Sequence, residues 1–248
     1  MRLQDFHVHT TYSDGANTPE ETVRAAIEKN MSAIGYSDHA HTAFDESYCM
    51  KKDAAESYRR EIEQLKEKYR SSIQVLCGIE QDYYSDAPTT GYDYVIGSVH
   101  YLKAGEEYIP VDEDADTLFA ACARFFGGDI YALAEEYYRT VAGVVEKTGA
   151  DLIGHFDLIS KFNERVPIFD EHHPRYIAAW KAAADALLKT GVPFEINTGA
   201  MSRGYKSGPY PSPEIQRYIR ERGGKFILSG DSHSADALCF AFEKLSDL

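Results

Sequence analysis

Leu3-Gln4-Asp5-Phe6-His7-Val8-His9, then Thr18-Pro19-Glu20-Glu21, then Ala33-Ile34-Gly35-Tyr36-Ser37-Asp38-His39 read as one strand, one helix and a second strand, with imidazoles where both strands end. Leu3–Val8 and Ala33–Ser37 are short apolar runs. Between them, Thr18 to Glu21 has the form of a capping box with proline at the first helical position, and it opens a helix expected to run to about Asn30. His7 and His9 are two residues apart, so the alternation of a strand puts both rings on one side.

The same unit recurs along the chain. Further strands are expected at Ile73–Ile79, Tyr94–Ile96, Leu152–Gly154, Pro193–Ile196 and Phe226–Leu228, seven in all. Helices are expected at Lys52–Tyr69, Ile130–Lys147 and Pro174–Lys189, and from Ser212-Pro213-Glu214 to the stop at Arg222-Gly223-Gly224. In the second helix, Tyr58, Ile62, Leu65 and Tyr69 make an apolar stripe. Lys103–Gly128 reads as a loop with a short helix. Strands alternating with helices specify a parallel sheet. Seven such units in 248 residues point to an α/β fold of the TIM-like barrel kind, one domain spanning residues 1–248. An open doubly wound sheet is the alternative, and the lack of a glycine-rich phosphate loop after the first strand speaks against it.

Composition narrows the function classes. Apolar residues make up 44% of the chain, as in ordinary globular proteins. No run approaches the roughly 20 apolar residues that span a bilayer, and the N-terminus lacks an apolar signal core, so a cytoplasmic protein without a membrane partner is expected. The formal net charge of −14 argues against a nucleic-acid partner, which needs a basic face. Cys49, Cys77, Cys122 and Cys239 form no C-x-x-C pair and read as reduced structural thiols.

The chemistry-bearing residues sit at the strand ends. His7 and His9 end the first strand, Asp38 and His39 follow the second, and Glu80 follows the third. His100 follows the fourth, His155 the fifth, Asn197 the sixth, and Asp231 and His233 the seventh. In a barrel these ends converge on one face, where active sites lie. Six of the nine histidines fall at such points, and imidazole with carboxylate suits zinc, iron or manganese. Asp14, in Ser13-Asp14-Gly15, serves equally well as a turn former or a ligand. His41, His172 and His173 read as loop residues, and Tyr83, Tyr84, Tyr92 and Tyr94 as core or rim aromatics.

His7-Val8-His9-Thr10-Thr11-Tyr12-Ser13-Asp14-Gly15, Ser37-Asp38-His39, Gly78-Ile79-Glu80, Gly97-Ser98-Val99-His100, Gly154-His155-Phe156-Asp157 and Ser229-Gly230-Asp231-Ser232-His233 resemble, in this order, the motifs of the PHP (polymerase and histidinol phosphatase) superfamily. His155 to Phe162, Glu195 to Gly199, and Arg203-Gly204-Tyr205 with Tyr210 to Glu214 are similar to the monofunctional histidinol-phosphate phosphatases. The resemblance implies a distorted seven-stranded β/α barrel, three divalent metal ions (Zn, Fe or Mn), and hydrolysis of L-histidinol phosphate, a small phosphomonoester, to L-histidinol and phosphate.

Carried over, the family pattern implies one metal held by His7, His9, Glu80 and Asp231, and a second by Glu80, His100 and His155 with Glu80 bridging. Asp14, His39 and His233 would hold the third. It implies substrate contacts at Arg203, Lys161 and Asn197, with Ser160 standing where many relatives have a basic residue. Three divalent ions would exceed the charge of Glu80, Asp231 and Asp14, which reconciles an acidic chain with a phosphate dianion. Asp231 or His233 is the expected proton donor to the leaving alcohol. Asp157 and Glu195 are the expected partners of the substrate's cationic groups. The alternatives are a related phosphatase or phosphodiesterase acting on a nucleotide or phosphotyrosine, a non-catalytic metal-stabilised module, and a metal-dependent amidohydrolase, for which the motif order is unsuited.

Overall fold

The computed structural model describes residues 3–245. Seven strands form one parallel sheet in the order β1 (Gln4–Asp5), β2 (Ala33–Tyr36), β3 (Gln74–Asp82), β4 (Tyr94–Ser98), β7 (Leu152–Ile153), β8 (Phe194–Asn197) and β9 (Phe226–Ser229). The first and last strands meet at their ends. Val8 and Ser232 form a parallel bridge, the His9 amide donates to the Ser232 carbonyl at 2.9 Å, and the Ser232 amide donates to the His7 carbonyl at 2.9 Å. Seven parallel strands closed in this way, with helices outside, make a TIM-like barrel.

Helices α1 (Pro19–Glu28), α2 (Ala55–Tyr69), α3 (Ala115–Phe125), α4 (Ile130–Ala142), α5 (Val144–Thr148) and α6 (Pro174–Leu188) are followed by the short α7 (Gly199–Ser202), α8 (Pro213–Glu221) and α9 (Phe242–Leu245). The Thr18–Glu21 capping box forms as expected: the Glu21 amide donates to Thr18 Oγ1, and the Thr18 amide donates to Glu21 Oε2 at 2.8 Å. In α2 the buried residues are Tyr58, Ile62 and Leu65, one face of a helix. These pack with Val8, Ile34, Val75 and Ile79 into a core over β1 to β3. A second core gathers Tyr138, Tyr176, Trp180 and Leu187 of α4 and α6 against Ile153, Phe156 and Phe194.

Three expected segments differ. The helix expected at Ile130–Lys147 is split at Gly143 into α4 and α5. The region read as loop and short helix holds an antiparallel hairpin, β5 (Tyr101–Ala104) and β6 (Glu107–Pro110), before α3. The hairpin turns at Gly105, whose φ of +64° is the left-handed conformation that glycine adopts without strain. Only Gln4–Asp5 of Leu3–Val8 pairs as regular strand. Among the described residues, no helix is long and apolar enough to cross a membrane.

Candidate metal centre

The barrel's C-terminal mouth collects the strand-end residues. His7 and His9 are fully buried with ring centroids 5.1 Å apart. Val8 between them is buried in the core over β1 to β3, as alternation requires. Asp38 organises the next turn. Its carboxylate accepts from the Thr10 amide (2.8 Å), Thr10 Oγ1 (2.9 Å), the Ser13 amide (3.1 Å) and Ser13 Oγ (2.6 Å). That turn carries Asp14 over the mouth, where Oδ2 lies 3.3 Å from His233 Nε2 and Oδ1 3.8 Å from His39 Nε2.

Glu80 is the hub. Its Oε2 lies 2.8 Å from His39 Nδ1, 3.3 Å from His7 Nε2 and 3.5 Å from His9 Nε2. Its Oε1 lies 2.9 Å from His155 Nε2 and 3.4 Å from His100 Nε2, and accepts from Ser98 Oγ at 2.6 Å. Asp231 Oδ1 faces the other side, 3.4 Å from both His9 Nε2 and His233 Nδ1. Asp231 has a φ of +47°, a region that non-glycine residues seldom adopt. The backbone opposite is Gly199, where a Cβ would sit 2.6 Å from Asp231 Oδ2.

Three groups of donors lie within 4.8 Å of one another: His9, Asp14, His39 and His233; His7, His9 and Glu80; and His39, Glu80 and His100. They overlap the expected sets and cross them at two places, since His9 also joins Asp14, and His39 also joins Glu80 and His100. His7 Nε2, both ring nitrogens of His9, Glu80 Oε2 and the Nδ1 atoms of His100 and His155 are buried without a hydrogen-bond partner. Unpartnered buried polar atoms are costly, and two of these, His7 Nε2 and His9 Nε2, lie within 3.5 Å of a third, Glu80 Oε2, a set that fits a cation held by imidazole and carboxylate.

The electrostatics follow from this crowding. Burial acts to raise the carboxyl of Glu80, but His39, His7 and His100 hold it well below the usual range. Burial likewise opposes ionisation of Asp231, and Arg203 and His7 hold its carboxyl well below the usual range. His9 is pushed down to about 3 by burial and by the neighbouring imidazoles of His233 and His39, so it stays a neutral donor. His39 rises to about 9 despite its burial, because Glu80 and Asp14 stabilise the imidazolium. A cation entering here must displace protons.

A cavity of about 430 Å³ opens above these groups. His39, His100, His155, Asp231 and His233 form its floor, Arg203 and Lys161 one wall, and Asp45, Tyr48, Asp112 and Glu113 the rim. Arg203 donates from Nη1 to His233 Nδ1 at 2.9 Å and from Nη2 to Asp231 Oδ2 at 3.3 Å. Lys161 Nζ donates to the Asp112 carbonyl (2.7 Å) and to Asp112 Oδ2 (3.1 Å).

Asn197 stands apart from the other expected substrate contacts. It is 0% exposed, does not line the cavity, and its Nδ2 is committed to Glu195 Oε2 (3.0 Å) and Asp231 Oδ2 (3.3 Å). Asp157 and Glu195 are also fully buried behind the floor, so the carboxylates facing the cavity are Asp14, Asp45, Asp112, Glu113 and Asp231 instead. Sequence reasoning missed the rim acids and the buried holder Asp82, and it counted Asp38 among the metal-capable strand-end residues where the structure makes it a holder of the Thr10–Ser13 turn. Asp82 Oδ2 accepts from the His100 amide at 2.9 Å. The available signal was position: Asp38 precedes His39, and Asp82 lies two residues beyond Glu80 on the same strand. The loop histidines lie elsewhere. His173 caps α6 by accepting from the Arg175 amide, and His41 lies 3.8 Å from Glu46. Tyr94 is internal to the barrel, donating to the Phe6 and Tyr36 carbonyls.

Relatives match nearly the whole chain. A Deinococcus radiodurans protein named "Probable histidinol-phosphatase" is 28% identical over 97% of this chain and 90% of its own length. The Bacillus subtilis protein named histidinol-phosphatase is 27% identical over 98% of each chain. The crystal structure of histidinol phosphate phosphatase from Lactococcus lactis subsp. lactis, complexed with zinc, L-histidinol and phosphate, has the same fold at a TM-score of 0.70. It is 21% identical, and the match covers 99% of this chain and 92% of that one. The PHP domain model matches residues 5–199, which span β1 to α7 and so carry most of the barrel and all of the mouth except the Arg203 and Asp231–His233 segments; the chain belongs to the PHP domain family.

Proposed function

We propose that this chain is a metal-dependent phosphomonoesterase that hydrolyses L-histidinol phosphate to L-histidinol and phosphate. The observation that carries the reading is the set of unpartnered buried donors around Glu80 beneath a cavity walled by Arg203 and Lys161. The protein names of the two curated relatives, each matched over nearly its whole length, supply the substrate. His7, His9, Glu80 and Asp231 would hold one ion, Glu80, His100 and His155 a second, and Asp14, His39 and His233 a third, of the zinc, iron or manganese kind. Bound there, such ions supply Lewis-acid charge and lower the pKa of water.

The residues of the chain do the rest. Arg203 presents a guanidinium that can fork onto phosphoryl oxygens, and Lys161 adds a point charge at the same wall. Asp231 and His233 face the cavity within 3.4 Å of each other, and either would pass a proton to the departing alcohol, Asp231 by way of water because its own carboxyl stays ionised. Asp45, Asp112 and Glu113 give the rim negative charge, suited to a substrate with an amine and an imidazole rather than a polyanionic nucleotide. Residues 1–248 act as one unit, in the cytoplasm, where the four buried free thiols stay reduced.

Phosphate release from L-histidinol phosphate, p-nitrophenyl phosphate and AMP by the metal-loaded protein tests the assignment. Histidinol phosphate should have the highest kcat/KM of the three. Equal or better values for either competitor would leave a general phosphoesterase.

A further inference from the structure

Glu195 is a carboxylate of the barrel that does not touch the cavity. It lies on β8, is 0% exposed, and accepts four hydrogen bonds. Oε1 accepts from His7 Nδ1 at 2.6 Å and Ser229 Oγ at 2.7 Å. Oε2 accepts from the His155 amide at 2.9 Å and Asn197 Nδ2 at 3.0 Å. These donors come from the ends of β1, β7, β8 and β9. Both carboxylate oxygens are therefore acceptors.

The consequence for the floor is geometric. With Nδ1 tied to Glu195, His7 must turn Nε2 outward, where it lies 3.3 Å from Glu80 Oε2 and 3.8 Å from Asp231 Oδ1 without a hydrogen-bond partner. Asn197 carries the constraint one residue further, since the same Nδ2 that donates to Glu195 also lies 3.3 Å from Asp231 Oδ2. We propose that Glu195 is the positioning residue of the metal centre, fixing His7, His155 and, through Asn197, Asp231 in one register before any cation arrives. The inference rests on the metal reading of the floor but not on the identity of the substrate.

Glutamine is the informative replacement. All four groups that Glu195 receives are donors, so either orientation of a glutamine amide sets its own N–H groups against donors that need an acceptor. The predicted signature is loss of metal affinity in a folded protein, since groups that orient a ligating histidine typically carry about 10–100-fold in affinity. Zinc affinity is measured by competition titration on wild type and Glu195→Gln, well below the melting temperature of either, with circular dichroism reporting the fold. Weakening of zinc binding by at least about tenfold, with native ellipticity, is the expected result. A purely structural residue would lower the melting temperature and leave the dissociation constant of the folded fraction unchanged, and that result overturns the proposal. If Glu195→Gln does not fold, Asn197→Ala decides: it breaks the link to Asp231 and should weaken zinc about tenfold, whereas wild-type affinity overturns the relay. Wild-type protein that binds no zinc, manganese or iron would overturn the metal reading itself, a different outcome from unchanged affinity in the variant.

Discussion

Two buried regions of this barrel are built on opposite terms. Between α4 and α6, Tyr138, Tyr176 and Trp180 are almost wholly buried, and the two tyrosine hydroxyls answer each other, Tyr138 donating to Tyr176 at 2.8 Å. At the mouth, His7, His9 and Glu80 are as deeply buried, yet four of their polar atoms have no hydrogen-bond partner. A layer whose only task is stability satisfies its polar groups; a layer that leaves them open stabilises a ligand at the expense of the empty fold. Substitutions in the first region should therefore change stability without changing the chemistry of the molecules that remain folded, and substitutions in the second should do the reverse.

The largest effect is expected at Glu80. Glu80→Gln removes the charge that faces His7, His9, His39, His100 and His155, so metal content and nearly all phosphate release should be lost while the circular dichroism spectrum stays native. Elemental analysis and a phosphate assay read both, and full metal content with near-normal turnover would break the contrast at its strongest point. Trp180→Ala is the counterpart in the other region. It should cost about 3–5 kcal/mol of stability through transfer and cavity terms, read by denaturant titration, with kcat per folded molecule unchanged. Arg203→Ala removes a cationic donor from the cavity wall, and it should cost about 1.5–3 kcal/mol in transition-state binding, a fall in kcat/KM of roughly ten- to hundred-fold. The smallest effect is expected at Glu20 on the surface. Lys68, Arg24 and Tyr69 hold its carboxyl down at about 2, so whatever the cluster contributes is present above the ordinary carboxylate range and lost as pH falls toward 2. Exposed clusters are screened by solvent, and Glu20→Gln should melt within error of wild type at neutral pH.

The parts of this molecule that could be read from its sequence are those whose partners are set by periodicity. Strand ends follow from short apolar runs, and parallel closure gathers them, so His7, His9, His39, Glu80, His100, His155, Asp231 and His233 were expected at one mouth and are found there. What could not be read depends on partners distant in sequence. Glu195 meets His7 across 188 residues, and no local pattern distinguishes a carboxylate that orients an imidazole from one that receives a substrate cation. The same holds for Asn197, whose strand-end position resembles that of a ligand although its amide lies behind Asp231. The hairpin of β5 and β6 escaped because its charged strands, Tyr101–Ala104 and Glu107–Pro110, carry little alternation. Gly143 splits a helix whose apolar pattern runs on through it.

The central claim is that the unpartnered donors of the mouth exist to hold metal for phosphomonoester hydrolysis. Its most direct test is phosphate release from L-histidinol phosphate by protein stripped of metal with a chelator, followed as zinc, manganese or iron is titrated back. The account predicts negligible turnover in the stripped protein, with native circular dichroism, and recovery that saturates with bound metal. Undiminished turnover by protein shown by elemental analysis to carry no metal would contradict it.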